Sequence, residues 1–79
     1  MIEEHLTKAV VTAIRLLEHS TADEVDRDIA MRGLENIASD LSDMNAEERA
    51  EFRRILARLA EQEPEDAAYL ETLPGHLGI

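Results

Sequence analysis

Between Leu34 and Leu59 the apolar residues fall into two runs on either side of a polar break at Asn45. Leu34, Ile37, Leu41 and Met44 recur at steps of three and four, the spacing that stacks side chains on one face of an α-helix. Phe52, Ile55, Leu56 and Leu59 do the same. Between the runs, Asn45-Ala46-Glu47-Glu48 has the form of a capping box. In such a box the Asn side chain accepts from the orphan amide three residues on, and the Glu carboxylate reaches back to the Asn amide. The pattern predicts two helices hinged at Asn45, folded as an antiparallel hairpin with one shared apolar seam.

Ile2 to about Glu18 predicts a helix before this hairpin. Ile2, Leu6, Ala9, Val10, Ala13, Ile14, Leu16 and Leu17 cover close to half of its circumference, a wider stripe than a surface helix needs. Val11 falls outside that arc, among Thr7, Lys8 and Arg15. A face so broad has two uses. The helix can be central, touched on two sides by its own chain. Alternatively it packs its own bundle on one side and a second subunit on the other, with Leu6, Val10, Ala13 and Leu17 as the self-association seam.

His19-Ser20-Thr21-Ala22 reads as a turn, and Thr21-Ala22-Asp23-Glu24 repeats the capping-box form. The second helix is therefore expected from near Ala22 to about Met44, with Val25 and Ile29 leading into its apolar stripe. Gly33 inside it implies a close crossing by a neighbour, or a bend. The third helix is expected from Ala46 to about Gln62. Pro64 suits a first helical position, where its missing amide costs nothing. A short fourth helix then covers about Glu65 to Leu73, with Ala67, Leu70 and Leu73 inward and Tyr69 at the edge. Pro74-Gly75 ends it, and the tail through Leu77 and Ile79 is expected to fold back onto the bundle. The fold class is all-α: one small helical bundle, residues 1–79, of three main helices plus a short C-terminal helix.

Composition narrows the function classes. A chain of 79 residues buries only roughly 60–65% of the surface its unfolded form exposes, so it leans on good packing, self-association or a partner. It has no Cys, which excludes disulfides and thiolate zinc sites. Hydrophobic residues make up 44%, enough for a core and too many for a disordered chain. The formal net charge of -10 repels phosphate backbones and anionic lipid, arguing against nucleic-acid and membrane partners. Only Phe52 and Tyr69 are aromatic, so no platform for stacking bases appears. The nearly apolar run Ala9 to Ile14 falls far short of the ~20 residues that cross a bilayer. Met1-Ile2-Glu3-Glu4 is acidic where a signal peptide is basic, so the cytoplasm is the expected location. The capped helical hairpin and the Leu-Pro-Gly-His-Leu-Gly-Ile ending have the flavour of short acidic bacterial proteins.

Catalysis finds little support. Ser20, Ser39 and Ser42 lack the Gly-x-Ser-x-Gly context of an exposed nucleophile, and the glycines at 33, 75 and 78 form no phosphate loop. Three residues before His5, His19 and His76 stand Ile2, Leu16 and Leu73, where a di-iron bundle needs Glu. The acids from Asp23 to Asp28 lack the spacing and glycine of a calcium loop. Neither a cofactor, a metal nor an enzyme activity is expected.

Two features remain. Arg49, Arg53, Arg54 and Arg58 gather on the polar face of the third helix, either as a solvated face with internal ion pairs or as a patch for a carboxylate or phosphate. Glu18, Asp23, Glu24, Asp26 and Asp28 cluster at the first turn between helices; Glu63, Glu65 and Asp66, with Glu61 and Glu71, cluster at the last. Some of these acids suit the positive ends of helices. Together they suggest a small acidic protein-binding module that occludes a basic partner, in the manner of an immunity protein or antitoxin, with acids steering the encounter. The alternative is a self-associating, dimeric structural or adaptor protein that uses the broad face of the first helix.

Overall fold

In the computed structural model, which describes residues 2–79, the chain winds into four α-helices. These are α1 (Ile2–His19), α2 (Arg27–Ser42), α3 (Ala46–Gln62) and α4 (Ala67–Leu77), with a 3₁₀ turn over Pro64–Asp66 leading into the last. Among the described residues there is no strand. The all-α bundle of three main helices and a short C-terminal one follows the periodicity.

α3 starts where its sequence places it. Asn45 Oδ1 accepts from the Glu48 amide at 2.8 Å, and Glu48 Oε1 accepts from the Asn45 amide at 2.9 Å, so the box closes reciprocally. Arg49 then donates to the Met44 carbonyl at 3.0 Å and to the Ser42 carbonyl at 2.7 Å. Those carbonyls belong to the end of α2 and the loop beyond it, where partners from the helix ladder run out.

The core gathers Phe52, Ile55, Leu56, Leu59 and Ala60 from α3, Leu70 and Leu73 from α4, and Val11 and Ile14 from α1. The close helix pairs are α3 with α4, α1 with α2, and α1 with α3. The expected α2–α3 seam is therefore not the organising contact. The stripe of α3 is covered by α4 and α1, and α2 is left to lie on α1. No residue of α2 is fully buried; Leu34, Ile37 and Leu41 reach only the edge of the core.

α1 uses its arc off-centre. Thr7, Val11 and Ile14 are the residues it buries. Val11, expected outside the apolar arc, is thus part of the core, because α1 docks on α3 and α4 through one edge of the stripe. The middle of the stripe faces solvent.

α2 begins later than Ala22. Glu24 does reach back, accepting from the Thr21 amide at 3.0 Å and the Thr21 hydroxyl at 3.2 Å. The amides of Glu24 and Val25 bond to the Thr21 carbonyl, and that single turn stops there. Asp26 is the residue that caps, its carboxylate accepting from the amides of Asp28 at 3.1 Å and Ile29 at 3.2 Å. The turn before it has only half-buried Val25 to pack, too little to hold another helical turn in place. Ile29, expected in the stripe, is exposed. α2 also ends at Ser42, short of Met44, whose side chain still packs against the core.

α4 overruns its expected stop. Pro74 and Gly75 lie inside it, although proline removes an amide from the helix ladder. Burial of Pro74 beside Leu73 offsets that loss. The helix closes instead at Gly78, with φ 75°, where the Gly78 amide bonds the Gly75 carbonyl at 3.2 Å and the Ile79 amide bonds the Pro74 carbonyl at 2.9 Å. This is the Schellman pattern, which favours glycine at its left-handed position. Leu77 and Ile79 pack on the core, so the tail does fold back, as the end of a helix.

Candidate interaction surface

Ile2, Leu6, Ala9, Ala13 and Leu16 follow one another at steps of four, three, four and three. That is the spacing of a heptad seam. All five are exposed, with Ile2 at 66%, Leu6 at 59% and Leu16 at 64%. On the bundle side of α1, Thr7, Val11 and Ile14 are buried, so the helix carries two apolar seams and only one is covered. Beside the open seam, a shallow groove of about 300 Å³ runs between α1 and α2, lined by Ala9, Val10, Ala13, Ile37, Asp40 and Leu41.

Of the predicted self-association residues, Leu6 and Ala13 stand on this open face. Val10 and Leu17 are half-buried and turn toward α2. Val10 lines the groove, and a Cβ placed on Gly33 would come within 2.9 Å of Leu17 Cδ1. The close approach expected at Gly33 is thus made by a side chain, and α2 runs through it unbroken. Sequence reasoning passed over Ile2, Ala9 and Leu16 as seam residues, although their four-three spacing was the available signal.

The predicted acidic contacts are mostly engaged within the chain. Glu18 accepts from the Tyr69 hydroxyl. Glu24 binds Thr21, and Asp26 caps α2. Glu63 pairs with Lys8 at 3.2 Å and Asp66 with Arg15 at 2.9 Å. Among the described residues, Asp23, Asp28 and Glu65 make no side-chain hydrogen bond or ion pair. Glu24 turns back to Thr21 rather than forward to Arg27. Hydrogen bonds from Thr21 hold the Glu24 carboxyl below its usual range.

The arginine stripe is spent in the same way. Arg49 serves the α2–α3 hinge, Arg53 donates to the Ile79 carbonyl, Arg54 pairs with Glu51, and Arg58 pairs with Glu4 at 3.2 Å. A further cluster joins α1 to α4 and was missed from the sequence. The Arg15 guanidinium lies 4.4 Å from the centre of the Tyr69 ring, and the His19 ring sits 6.0 Å from it. Arg15, Glu18 and His19 share a helix face by their three- and four-residue spacing, but their partner is 51 residues from Glu18. Burial first, and then the bond to Glu18, push the Tyr69 phenol well above its usual value.

No family model, curated protein or solved structure matches this chain. Among the described residues, no three His, Asp or Glu side chains converge as metal ligands would. Among the same residues, every buried side-chain polar atom has a hydrogen-bond partner. No helix of the described residues is long and apolar enough to cross a membrane.

Proposed function

We propose that this protein is a non-catalytic interaction module that self-associates through the open face of α1. The observation that carries this reading is the exposure of Ile2, Leu6 and Leu16 on one seam. Singly exposed apolar residues are ordinary, but a contiguous row marks an interface. Burying a Leu or Ile side chain is worth roughly 1.5–3 kcal/mol, and in a twofold dimer each counts twice. A bundle this small, with one helix lacking any fully buried residue, gains stability from a partner that binds only the folded state.

Charge placement supports the same choice. The five seam residues carry no charge, and the nearest carboxylate in the adjoining groove is that of Asp40 on α2, so association through the seam takes little charge out of water. The dimer would display the acidic surfaces of both copies outward, as an adaptor or structural subunit. Occlusion of a basic partner keeps only Asp23, Asp28 and Glu65 as uncommitted contacts among the predicted acids, which makes it the weaker reading.

Sedimentation of the pure protein over a wide concentration range tests the proposal. A dimer is expected, and Leu6→Asp is expected to give a folded monomer with unchanged helical circular dichroism. A monomer at every concentration, or a dimer indifferent to Leu6→Asp, overturns it.

A further inference from the structure

The seam of α1 has an order as well as a composition. From Leu6 it reads Leu, Ala, Ala, Leu at steps of three, four and three. Over these four residues the sizes and the spacings are the same read from either end; Ile2, the first residue of the seam, has no apolar counterpart, since Ser20 stands four residues after Leu16. A twofold interface must be complementary to itself, and this order meets that requirement with the two helices running in opposite directions.

We propose that the occupant of this face is a second copy of the chain, bound antiparallel, α1 on α1. Leu6 of one copy lies opposite the partner's Leu16, and Ala9 lies opposite the partner's Ala13. This rests on the self-association proposed above and adds its orientation and register. The paired alanines at the centre let the helix axes approach at the near end of the usual 8–10 Å range. The leucine pairs close both ends of the contact.

The flanking residues agree with this pairing. On one side of the seam stand His5, Thr12 and His19; on the other stand Glu3, Val10 and Leu17. In the antiparallel register Thr12 meets its own copy near the twofold axis on the first side; on the second, half-buried Val10 and Leu17 are turned toward α2. Glu3 stands at the same margin, and Asp40 of α2 lines the groove beside Ala9 and Ala13.

Electrostatics separates this arrangement from a parallel one. The acidic turn of Asp23, Glu24, Asp26 and Asp28 follows the C-terminal end of α1. Parallel pairing sets two such turns side by side. Antiparallel pairing places them at opposite ends of a helix of 18 residues, roughly 27 Å apart. That is well beyond the screening length of about 8–10 Å at moderate salt. Opposed helix dipoles act in the same direction.

Because the chain has no cysteine, introduced thiols report the geometry without background. Ala9→Cys and Ala13→Cys variants, both at exposed positions, would be oxidised mildly alone and as an equal mixture. The antiparallel register is expected to give chiefly the mixed disulfide. It separates each Cys from its own copy by four residues along the axis, about 6 Å, which takes the pair out of easy bonding reach. Strong homodisulfides from each variant alone, in a dimer that Leu6→Asp still dissolves, overturn the antiparallel pairing and leave self-association standing. The same holds for a Leu6→Asp-sensitive dimer in which neither thiol cross-links. A chain that sediments only as a monomer removes both.

Discussion

Tyr69 donates its hydroxyl hydrogen to the Glu18 carboxylate, tying α4 to the last turn of α1. The chain has one tyrosine and no tryptophan, so this contact has its own optical signal. The fold raises the phenol above its ordinary value by burial and by the bond to Glu18, while Arg15 above the ring pulls the other way. A raised value means that the folded state prefers the neutral phenol. The contact therefore contributes in full below the ordinary tyrosine value of about 10, and is lost as pH climbs through the folded one. Tyrosinate absorbance followed against pH should show a midpoint displaced upward, and Glu18→Gln should bring it part of the way back. Identical midpoints in the two proteins would mean that Glu18 has no hold on the ring.

Ile14 and Leu73 have no exposed surface, and both lie in the cluster shared by α1, α3 and α4. Ile14→Ala should cost about 2–5 kcal/mol in urea unfolding, since the lost methyl groups leave a hole that close packing fills only in part. Ile29→Ala, at an exposed position on α2, should stay within about 0.5 kcal/mol. Equal effects would show that α2 is held as tightly as α1.

The two cap signals should separate under mutation. Asn45→Ala and Asp26→Ala each remove a side chain that accepts helix-terminal amides, and each should cost about 1 kcal/mol. Thr21→Ala should cost less, because the turn it starts ends before α2 begins. Urea midpoints of the three variants rank them directly.

Gly33→Ala sets helix propensity against a contact. Alanine gains about 1 kcal/mol in a helix interior, while its Cβ would come within 2.9 Å of Leu17 Cδ1. That atom is the far end of a flexible, half-buried side chain and can rotate away. Stability should hold or rise by up to about 1 kcal/mol. A loss of more than that would mean that Leu17 is pinned.

What could be read from the sequence was whatever local chemistry decides. The Asn45–Glu48 box, the stripe of α3 and the inward set Leu70 and Leu73 follow from spacing alone, and the structure repeats them. Spacing says which residues share a face, and leaves open what that face meets. The arc of α1 is symmetrical enough in sequence to dock through its centre or either edge, so burial of Val11 depended on how α3 and α4 approach. The same blindness pointed α2 at α3 when it lies on α1. The Thr21 and Asp26 signals are both sound caps, and only packing beyond Val25 chooses between them. The Arg15–Tyr69–Glu18 cluster joins segments far apart in the chain, and neither half looks unusual by itself.

Pro74 inside α4 bears on the order in which the molecule assembles. An 11-residue segment holding both a proline and a glycine is a poor helix former in isolation. Its winding must be induced by the apolar surface it meets, chiefly that of Phe52, Ile55, Leu56 and Leu59. The last stretch of chain is thus a follower in folding. A nascent or excised α4 would be coil, and its helicity would report on whether α3 was already in place.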